Sequence, residues 1–435
     1  MTSDDGVGLA ARRQALVAIA AVDEGAWSTR AVPDAIAVLG DVRDRGFAAH
    51  LAHETIRWQV TLDWLLAGVL SRPLDDVESA LRRILRMGAL QIWRSNVPAR
   101  AAVSTSVALA REAVPRGRAK GAGGFVNGVL RALVRDLPTR AWPDVDTDPV
   151  AALSLATGHP TWVVEERIAA LGVDTARALL DADNDAPGLT LRAVGDRDAL
   201  VAELQALGLD ASPTVQSAAG VRVPGADPRR LDCVSEGRAV PQDEASMLVV
   251  EACGVAPGDD VLDLCAGPGG KATHLAALAG PHGRVRGVEL HQHRADLVTA
   301  AAARLGVALD VVVGDARTVD LAPADVVLVD APCTGLGTGR RRSEVRHRRT
   351  PADVASLHDL QVELVQRAIG LVRPGGRLTY AVCTWTAGET VDVVAEVEAA
   401  AGSQLRQLGQ RQLGPDAEGT DGMFHVTWEV AAERA

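Results

Sequence analysis

The sequence is short of lysine, cysteine and long apolar runs, and each shortage excludes a class of protein. Only two of its 45 basic residues are lysine, and its five cysteines are too widely spaced to form a C-x-x-C pair. An odd number of isolated cysteines argues against a disulfide framework and a zinc knuckle, so we expect reduced thiols and no metal. No apolar run approaches the ~20 residues of a membrane span, and the acidic N-terminus lacks the layout of a secretion signal. We therefore expect a soluble, cytoplasmic protein with no membrane partner.

Charge is distributed unevenly along the chain. The 435 residues carry a net charge of −11, which argues against a protein that coats nucleic acid without selectivity. Residues 1–140, however, hold 19 basic against 14 acidic side chains, and the acidic remainder contains one arginine-rich run at 340–349. This distribution is compatible with a nucleic-acid substrate that is held at chosen places.

The hydrophobic pattern divides the chain into three domains, which its length also suggests. Apolar residues recur at three- and four-residue spacing up to about residue 136, which indicates helices. Short strands appear from Gly188, and from Gln242 short apolar runs alternate with helical stretches, as in a parallel sheet with helices on both faces. The sequence therefore predicts an all-α domain, a linker with helices and a small α+β domain, and a Rossmann-like α/β domain, over residues 1–140, 141–240 and 241–435.

The motif VLDLCAGPGGKATHL at 261–275 predicts a buried strand, a loop of small residues and a helix that begins near Lys271. Such a loop lets a ligand approach the backbone beside a helix N-terminus, although many α/β proteins need the glycines only for packing. Glu289 and Asp315 end the next two predicted strands, and a carboxylate at the second strand end suits a ribose diol. These strand ends predict an adenosine-containing cofactor, either a dinucleotide or S-adenosylmethionine.

Two cysteines follow the next predicted strands. Cys333 lies in DAPCTGLG and Cys383 in TYAVCTW, each just past a strand end. Substrates of doubly wound folds bind at the carboxyl ends of neighbouring strands, so we interpret this pair as reactive. The remaining cysteines are expected to pack as small buried hydrophobes, namely Cys233, Cys253 and Cys265.

Residues 242–430 resemble the RNA cytosine-5 methyltransferase family, the Sun/Nol1/Nop2 group. The matching motifs are QDEAS, LDLCAGPGGK, DAPCTGLG, RRSE and DGMF. Upstream, RILRMGALQIW at 83–93 and GGFVNGVLRAL at 123–133 resemble the all-helical NusB-type RNA-binding domain. The pairing is similar to the small-subunit ribosomal RNA methyltransferases of that family. The resemblance implies an enzyme that transfers a methyl group from S-adenosylmethionine to C5 of a cytosine in ribosomal RNA.

The resemblance also implies roles for single residues. The cysteine that corresponds to Cys383 is the family's nucleophile, which adds to C6 of the base, and the one that corresponds to Cys333 assists release of the adduct. Asp330 matches the carboxylate that engages the N3 edge, and Lys271 matches a lysine near both cofactor and base. The implied cofactor contacts are Cys265, Ala266, Gly267, Pro268, Gly269, Gly270, Lys271, Glu289, Arg294, Asp315 and Asp330.

Some positions depart from the family's pattern, and different functions stay open. Val382, Trp385 and Ser343 stand where the family usually has threonine, an aliphatic residue and proline, but the nucleophile and the cofactor loop are intact.

In DNA cytosine-5 methyltransferases the Pro-Cys cysteine attacks, which would be Cys333 in this chain. The chain could also be a transfer-RNA methyltransferase of the same family, or a non-catalytic RNA-binding or assembly factor.

The arginine-rich run RRRSEVRHRR follows the DAPC strand directly. Six arginines against one glutamate beside the predicted substrate crevice favour contacts to RNA phosphates, and we assign these to Arg340, Arg341 and Arg342. His159 is expected to be a turn or capping residue, and Tyr380 a core residue. We expect a monomer.

Overall fold

The computed structural model describes residues 8–415 and 419–432, and the chain divides into two compact units. The first unit holds the described residues up to Asn184 together with Arg341–Arg348. The second unit holds Asp185–Arg340 and the described residues from Arg349 onward. A short segment from within the α/β part of the sequence therefore belongs to the helical unit. The domain boundaries expected near residues 140 and 240 stay a prediction.

The first unit is helical, as its apolar spacing predicts. In the helix that begins at Ser79, for example, Leu81, Ile84, Leu85 and Met87 are buried in one shared core. The helices are, in chain order, α1 (Leu9–Asp23), α2 (Ser28–Ile36), α3 (Val42–Arg57), α4 (Gln59–Ala67), α5 (Ser79–Arg94), α6 (Ala99–Glu112), α7 (Ala119–Asp136), α8 (Pro149–Thr157), α9 (Thr161–Leu171) and α10 (Val173–Ala182).

A small α+β layer opens the second unit and confirms the linker prediction. Its sheet has the strand order β2-β3-β1-β4 with antiparallel neighbours, and Leu191, Val221 and Ala239 are buried in its core. The elements are β1 (Leu189–Ala193), α11 (Arg197–Ala206), β2 (Ser212–Pro213), β3 (Gly220–Val223), α12 (Asp232–Ser235) and β4 (Ala239–Pro241).

The remaining elements build a Rossmann-like sheet of seven strands in the order β10-β11-β9-β8-β5-β6-β7. Strands β5 to β9 are mutually parallel, and β11 and β10 complete the sheet in antiparallel pairing. The elements are α13 (Glu244–Ala252), β5 (Asp260–Asp263), α14 (Gly270–Ala279), β6 (Arg284–Glu289), α15 (Gln292–Leu305), β7 (Asp310–Val313), β8 (Ala324–Asp330), α16 (Val345–Arg348, in the first unit), α17 (Pro351–Ile369), β9 (Val372–Val382), α18 (Val391–Ala401), β10 (Leu405–Leu413) and β11 (Met423–Val430).

The parallel strands place their carboxyl ends along one edge of the sheet. The order β9-β8-β5-β6-β7 brings the loops after β8 and β9 next to the loop after β5. Strand β7 ends at Val313, two residues before Asp315, at which the sequence predicts its end. Helix α17 begins at Pro351, where Thr350 forms a capping box with Asp353.

The structure contains no membrane-spanning candidate among the residues it describes: none of those helices is both long and apolar enough to cross a bilayer.

Candidate active site

The loop after β5 combines a helix N-terminus with tightly packed glycines. Strand β5 ends at Asp263, Ala266 donates its N–H to a carbonyl of β6, and α14 begins at Gly270. A Cβ at Gly267 would collide with the carboxylate that ends β6, and Gly269 caps α14 with a φ of +107°. Position 269 therefore needs glycine, a side chain at Gly267 would displace the Glu289 carboxylate, and the backbone of the loop can approach a ligand closely.

Glu289 at the end of β6 faces this loop. Its side chain is buried, and its Oε1 accepts the N–H of His291 at 3.0 Å. Arg294 lies between Glu289 and the loop, with Nε 3.4 Å from Oε2 of Glu289 and Nη2 donating to the carbonyl of Gly267 at 2.8 Å. Three of the residues predicted for the cofactor thus contact one another.

Asp315 lies two residues beyond the end of β7. Hydrogen bonds from the side chain and backbone of Arg317 lower the pKa of the Asp315 carboxyl, and the Arg317 Nη2–Asp315 Oδ2 distance is 2.7 Å. Arg317 also donates to Glu363. Asp315 is therefore a charged carboxylate at the third strand end, with its own counter-ion.

Lys271 and Asp330 form an ion pair across the site. Lys271 lies in the first turn of α14, Asp330 ends β8, and Nζ is 2.8 Å from Oδ2. Burial disfavours the ammonium, but the attraction of Asp330 and a smaller one of Cys383 outweigh it, so the pKa of Lys271 is raised. Lys271 is thus a stable cation within electrostatic reach of Cys383.

The structure brings Cys333 and Cys383 together. Cys333 follows β8 by three residues, Cys383 follows β9 directly, and their Sγ atoms are 3.3 Å apart. The hydrogen bond with Cys383 and burial raise the pKa of Cys333 well above that of an ordinary thiol. Cys333 therefore loses its proton less readily than an ordinary thiol, and it lies beside a second thiol that the charge of Lys271 reaches.

A buried carboxylate joins the two cysteine loops. Glu389 is fully buried and accepts hydrogen bonds from the N–H of Thr334 at 2.7 Å and from its hydroxyl at 2.5 Å. It also accepts from the hydroxyls of Thr384 at 3.3 Å and Thr386 at 2.8 Å, and from Gln361 at 3.2 Å. One side chain thereby satisfies five donors that lie beneath both loops.

The sequence did not single out Glu389. Each reactive cysteine is followed by threonine, Thr334 after Cys333 and Thr384 after Cys383, and the two hydroxyls are 2.9 Å apart. This repeated Cys-Thr pair is the signal from which a shared acceptor could have been predicted.

Asp263 was also missed as a site residue. Its side chain is buried, and its Oδ1 accepts the N–H of Cys265 at 3.1 Å. Burial, together with the negative charge of Asp330, raises its pKa to about 7. The carboxyl of Asp263 therefore titrates much closer to neutral pH than an exposed aspartate does, next to the cofactor loop.

Most of the residues expected to be structural are buried, whereas Cys265 is only partly buried and packs against the core of the sheet. Cys233 and Cys253 lie in hydrophobic cores, and burial raises the pKa of Cys253 to about 12. Tyr380 is buried within β9 and donates its hydroxyl to the carbonyl of Glu389 at 2.7 Å. Burial lowers the pKa of His159, in the turn between α8 and α9, well below its usual value.

The arginine-rich run makes more contacts inside the protein than we expected of residues that bind RNA phosphates. Arg340 is buried in the second unit, where it donates to backbone carbonyls of Asp185, Gly419 and Thr420. In the first unit Arg341 is half-buried, while Arg342 is exposed with its guanidinium 5.1 Å from the ring centre of Trp27. The structure thus gives Arg340 an internal bonding role that the charge pattern did not indicate.

Within residues 8–415 and 419–432, no cluster of three or more His, Cys, Asp or Glu side chains could hold a metal ion.

Comparisons with known proteins agree with this architecture. Residues 252–428 match the family model of the 16S rRNA methyltransferases RsmB/F, residues 9–135 match the NusB family, and residues 159–228 match the ferredoxin-like domain of RsmF/B-like methyltransferases. A solved crystal structure, that of PH0851, superimposes with a TM-score of 0.84 over 97% of this chain and 98% of that chain at 21% identity. Fold and matches together define the class: a Rossmann-like RNA methyltransferase with a NusB domain.

Full-length relatives narrow the class to a family. A Mycobacterium tuberculosis protein that carries a methyltransferase name, Rv1407, is 40% identical over 95% of each chain. The ribosomal RNA small subunit methyltransferase B of Pseudomonas putida is 31% identical over 97% of this chain and 99% of its own. The chain therefore belongs to the RsmB/F family of ribosomal RNA small subunit methyltransferases.

Proposed function

We propose that this protein methylates C5 of a cytosine in small-subunit ribosomal RNA, with S-adenosylmethionine as the methyl donor and a covalent cysteine adduct as the intermediate. The observation that carries the proposal is the pair of thiols 3.3 Å apart, at the ends of adjacent strands, beside the Lys271–Asp330 ion pair. Addition to the base requires only one cysteine as the nucleophile. A second thiol in contact with it fits a reaction in which the covalent adduct must also be released.

The chemistry of cytosine explains why a thiol is needed. C5 is too weak a nucleophile to accept a methyl group unaided, but addition of a thiolate to C6 turns the ring into an enamine whose C5 can attack. We assign this addition to Cys383, because the charge of Lys271 reaches Cys383 and favours its thiolate, and because the corresponding cysteine is the nucleophile of the family that the chain resembles. Loss of the C5 proton and cleavage of the Sγ–C6 bond then regenerate Cys383.

The neighbouring groups have complementary roles in this proposal. Cys333, in contact with Cys383, assists the elimination that releases the product. Asp330 engages the N3 edge of the base, and Lys271 fixes the orientation of Asp330 through their 2.8 Å ion pair. The cytosine must leave its stack to reach these groups.

The loop after β5 fits S-adenosylmethionine. The collision that a Cβ at Gly267 would suffer and the positive φ of Gly269 indicate a backbone held for close approach, and Glu289 supplies a buried carboxylate where a ribose diol would bind. When bound, the cofactor supplies the electrophilic methyl group. The residues that would hold it are Cys265, Ala266, Gly267, Pro268, Gly269, Gly270, Lys271, Glu289, Arg294, Asp315 and Asp330.

We further propose that the NusB-like domain over residues 1–140 binds the RNA, and that the exposed Arg342 and the half-buried Arg341 contact phosphates. The match to the NusB family favours a ribosomal substrate over transfer RNA. A monomer in the cytoplasm is part of the same proposal.

The test is methyl transfer from labelled cofactor onto ribosomal RNA that lacks the modification, followed by mapping of the methylated site. Cys383→Ala is expected to abolish transfer, and Cys333→Ala to accumulate a covalent protein–RNA adduct that survives denaturing electrophoresis. Adduct accumulation in Cys383→Ala instead would reverse the assignment of the nucleophile. Methylation of transfer RNA alone, or wild-type protein that binds no S-adenosylmethionine in calorimetry, would contradict the proposed function.

A further inference from the structure

A groove runs between helices α6 and α7 in the first unit, far along the sequence from the cysteines. It has a volume of about 640 Å³. Its apolar lining consists of small and β-branched side chains, among them Val103, Val107 and Val134. No leucine or aromatic residue belongs to the described residues that line it, so the groove lacks the deep anchor pockets with which apolar grooves hold peptide helices.

Four arginines line the same groove: Arg100 and Arg111 from α6, and Arg131 and Arg135 from α7. All four are exposed, and none of the described residues that line the groove is acidic. Arg100 and Arg111 are eleven residues apart, roughly 16 Å along a helix. The positive charge therefore extends over a length comparable to about five phosphates of one duplex strand.

Several other exposed arginines in this unit have an acidic partner. Arg13 pairs with Glu112 at 3.0 Å, and Arg118 pairs with Glu78 at 3.1 Å. By contrast, the structure shows no ion pair or side-chain hydrogen bond for the four groove arginines within the residues it describes. A row of cations that the fold does not neutralise favours a polyanion as the ligand.

The exposed face of α7 adds an independent feature. Gly124 and Gly128 lie within this helix, where glycine costs about 1 kcal/mol relative to alanine. A Cβ at either position would meet nothing within 4 Å, so packing inside the protein does not require these glycines. Gly124 lies three residues before Asn127, and Gly128 three residues before Arg131, so both are on the helix surface beside the groove. Because neither glycine has a side chain, the backbone of a ligand can approach the helix closely there.

We propose that the α6–α7 groove is a docking site for the sugar–phosphate backbone of RNA, separate from the methyl-transfer site. The arginines contact phosphates, the valines pack against ribose faces, and the glycines allow close approach of the strand. Such contacts position RNA without reading its sequence. This inference rests on the proposed ribosomal RNA substrate.

The experiment measures the affinity of the full-length protein for 16S ribosomal RNA transcript and for an oligouridylate of about 20 nucleotides, over a series of salt concentrations. Arg131→Gln/Arg135→Gln is expected to weaken binding of both probes and to reduce the slope of log affinity against log salt by about 1.5. Arg30→Gln/Arg43→Gln, two exposed arginines of the same unit outside the groove, is the matched control and should leave affinity and slope near the wild type.

A second pair of variants tests close approach without changing charge. Gly128→Leu is expected to weaken RNA binding while thermal stability is kept or raised, whereas Gly46→Leu, at another open helical position, should leave binding unchanged. Equal RNA affinity of groove and control variants would overturn the inference. So would groove variants that bind naked RNA normally but lose methylation of an assembled small subunit, because that result indicates a protein partner.

The two proposals fail in different ways. Wild-type protein that binds RNA through the groove but transfers no methyl group would contradict the proposed function alone. Wild-type protein that methylates RNA, with groove variants equal to their controls, would contradict the docking site alone.

Discussion

Lysine at position 271 is a specific choice in a chain that otherwise uses arginine almost throughout. Its ammonium is a compact charge in contact with Asp330, whereas the planar guanidinium of arginine is larger and donates in a fixed fork. We predict that Lys271→Arg lowers the rate of methyl transfer at saturating RNA by about tenfold or more, since misplacement of about 1 Å costs at least that much. Single-turnover kinetics measure this rate.

The other lysine supplies the control. Lys120 is exposed near the start of α7, so Lys120→Arg should leave the rate unchanged. A Lys271→Arg enzyme as fast as Lys120→Arg would show that the placement of lysine in the cofactor loop is a coincidence.

Glu389 is expected to position both thiols without touching the substrate. Glu389→Ala leaves the buried N–H of Thr334 without its acceptor, at a cost of about 1–3 kcal/mol, and releases the hydroxyl of Thr384. We predict slower methyl transfer and slower formation of a Cys333–Cys383 disulfide on mild oxidation, because the sulfur atoms are no longer held in contact. The disulfide rate is measured by mass spectrometry.

A matched destabilised variant separates positioning from general loss of stability. Thr379→Val removes a buried hydroxyl bond to Thr427 on the same sheet, away from the cysteine loops. If Thr379→Val and Glu389→Ala slowed disulfide formation equally, Glu389 would have no special role in holding the thiols.

Single residues show where sequence patterns are sufficient. Asp330, Cys333 and Cys383 each end or follow a parallel strand, Lys271 opens the helix after another, and strand order alone brings such positions together. Glu389 lies on a short turn six residues after Cys383, and its partners come from separate segments, so no periodicity marks it.

The same distinction holds for whole elements. Strands β5, β6 and β8 and helices α9, α14 and α15 were predictable because each carries a continuous apolar run or a three-to-four spacing. Strand β10 is a polar edge strand that is exposed along most of its length, so its residues carry no alternating apolar pattern. The arginine-rich run was expected to contact RNA phosphates, but Arg340 and Arg346 are buried, where they donate to backbone carbonyls and to Asn184.

We predict that Asp263, at the end of β5, makes the stability of the second unit depend on pH. The pKa of Asp263 is about 7 in the folded protein, against about 3.9 in an unfolded chain. Between these values the folded state holds a proton that the unfolded state has lost, so the contribution of Asp263 to stability falls as the pH rises from about 4 to 7. Burial lowers the pKa of His274 to about 3, which has the opposite effect over this range.

Comparison of the wild type with Asp263→Asn separates the effect of Asp263 on the pH dependence of stability from that of His274, because His274 is present in both proteins. Asparagine keeps an oxygen for the N–H of Cys265 but cannot ionise. Hydrogen exchange at β5 should show that the variant gains protection relative to the wild type as the pH is raised from about 5 to about 8. A difference that does not change with pH would contradict the raised pKa.

At the scale of the whole molecule, the first unit is completed by residues distant in sequence. Glu344 is buried and accepts the N–H of Ser28 at 2.7 Å, and Arg348 donates to the carbonyls of Val22, at the end of α1, and of Gly25 and Ala26, in the turn before α2. A helical unit built from residues 1–184 alone would leave these backbone groups without their partners.

We therefore predict that a fragment of residues 1–184 is less stable than the same region in the full chain, and that Glu344→Ala reproduces part of the loss. Removing the acceptor of a buried N–H costs about 1–3 kcal/mol, whereas Glu344→Gln retains an oxygen that can accept it. Hydrogen exchange at the start of α2 in the full-length protein measures the effect. Protection should fall by roughly five- to 150-fold in Glu344→Ala, which is that cost expressed as an equilibrium ratio, and change little in Glu344→Gln. Equal protection in the two variants would show that the helical unit does not depend on this segment.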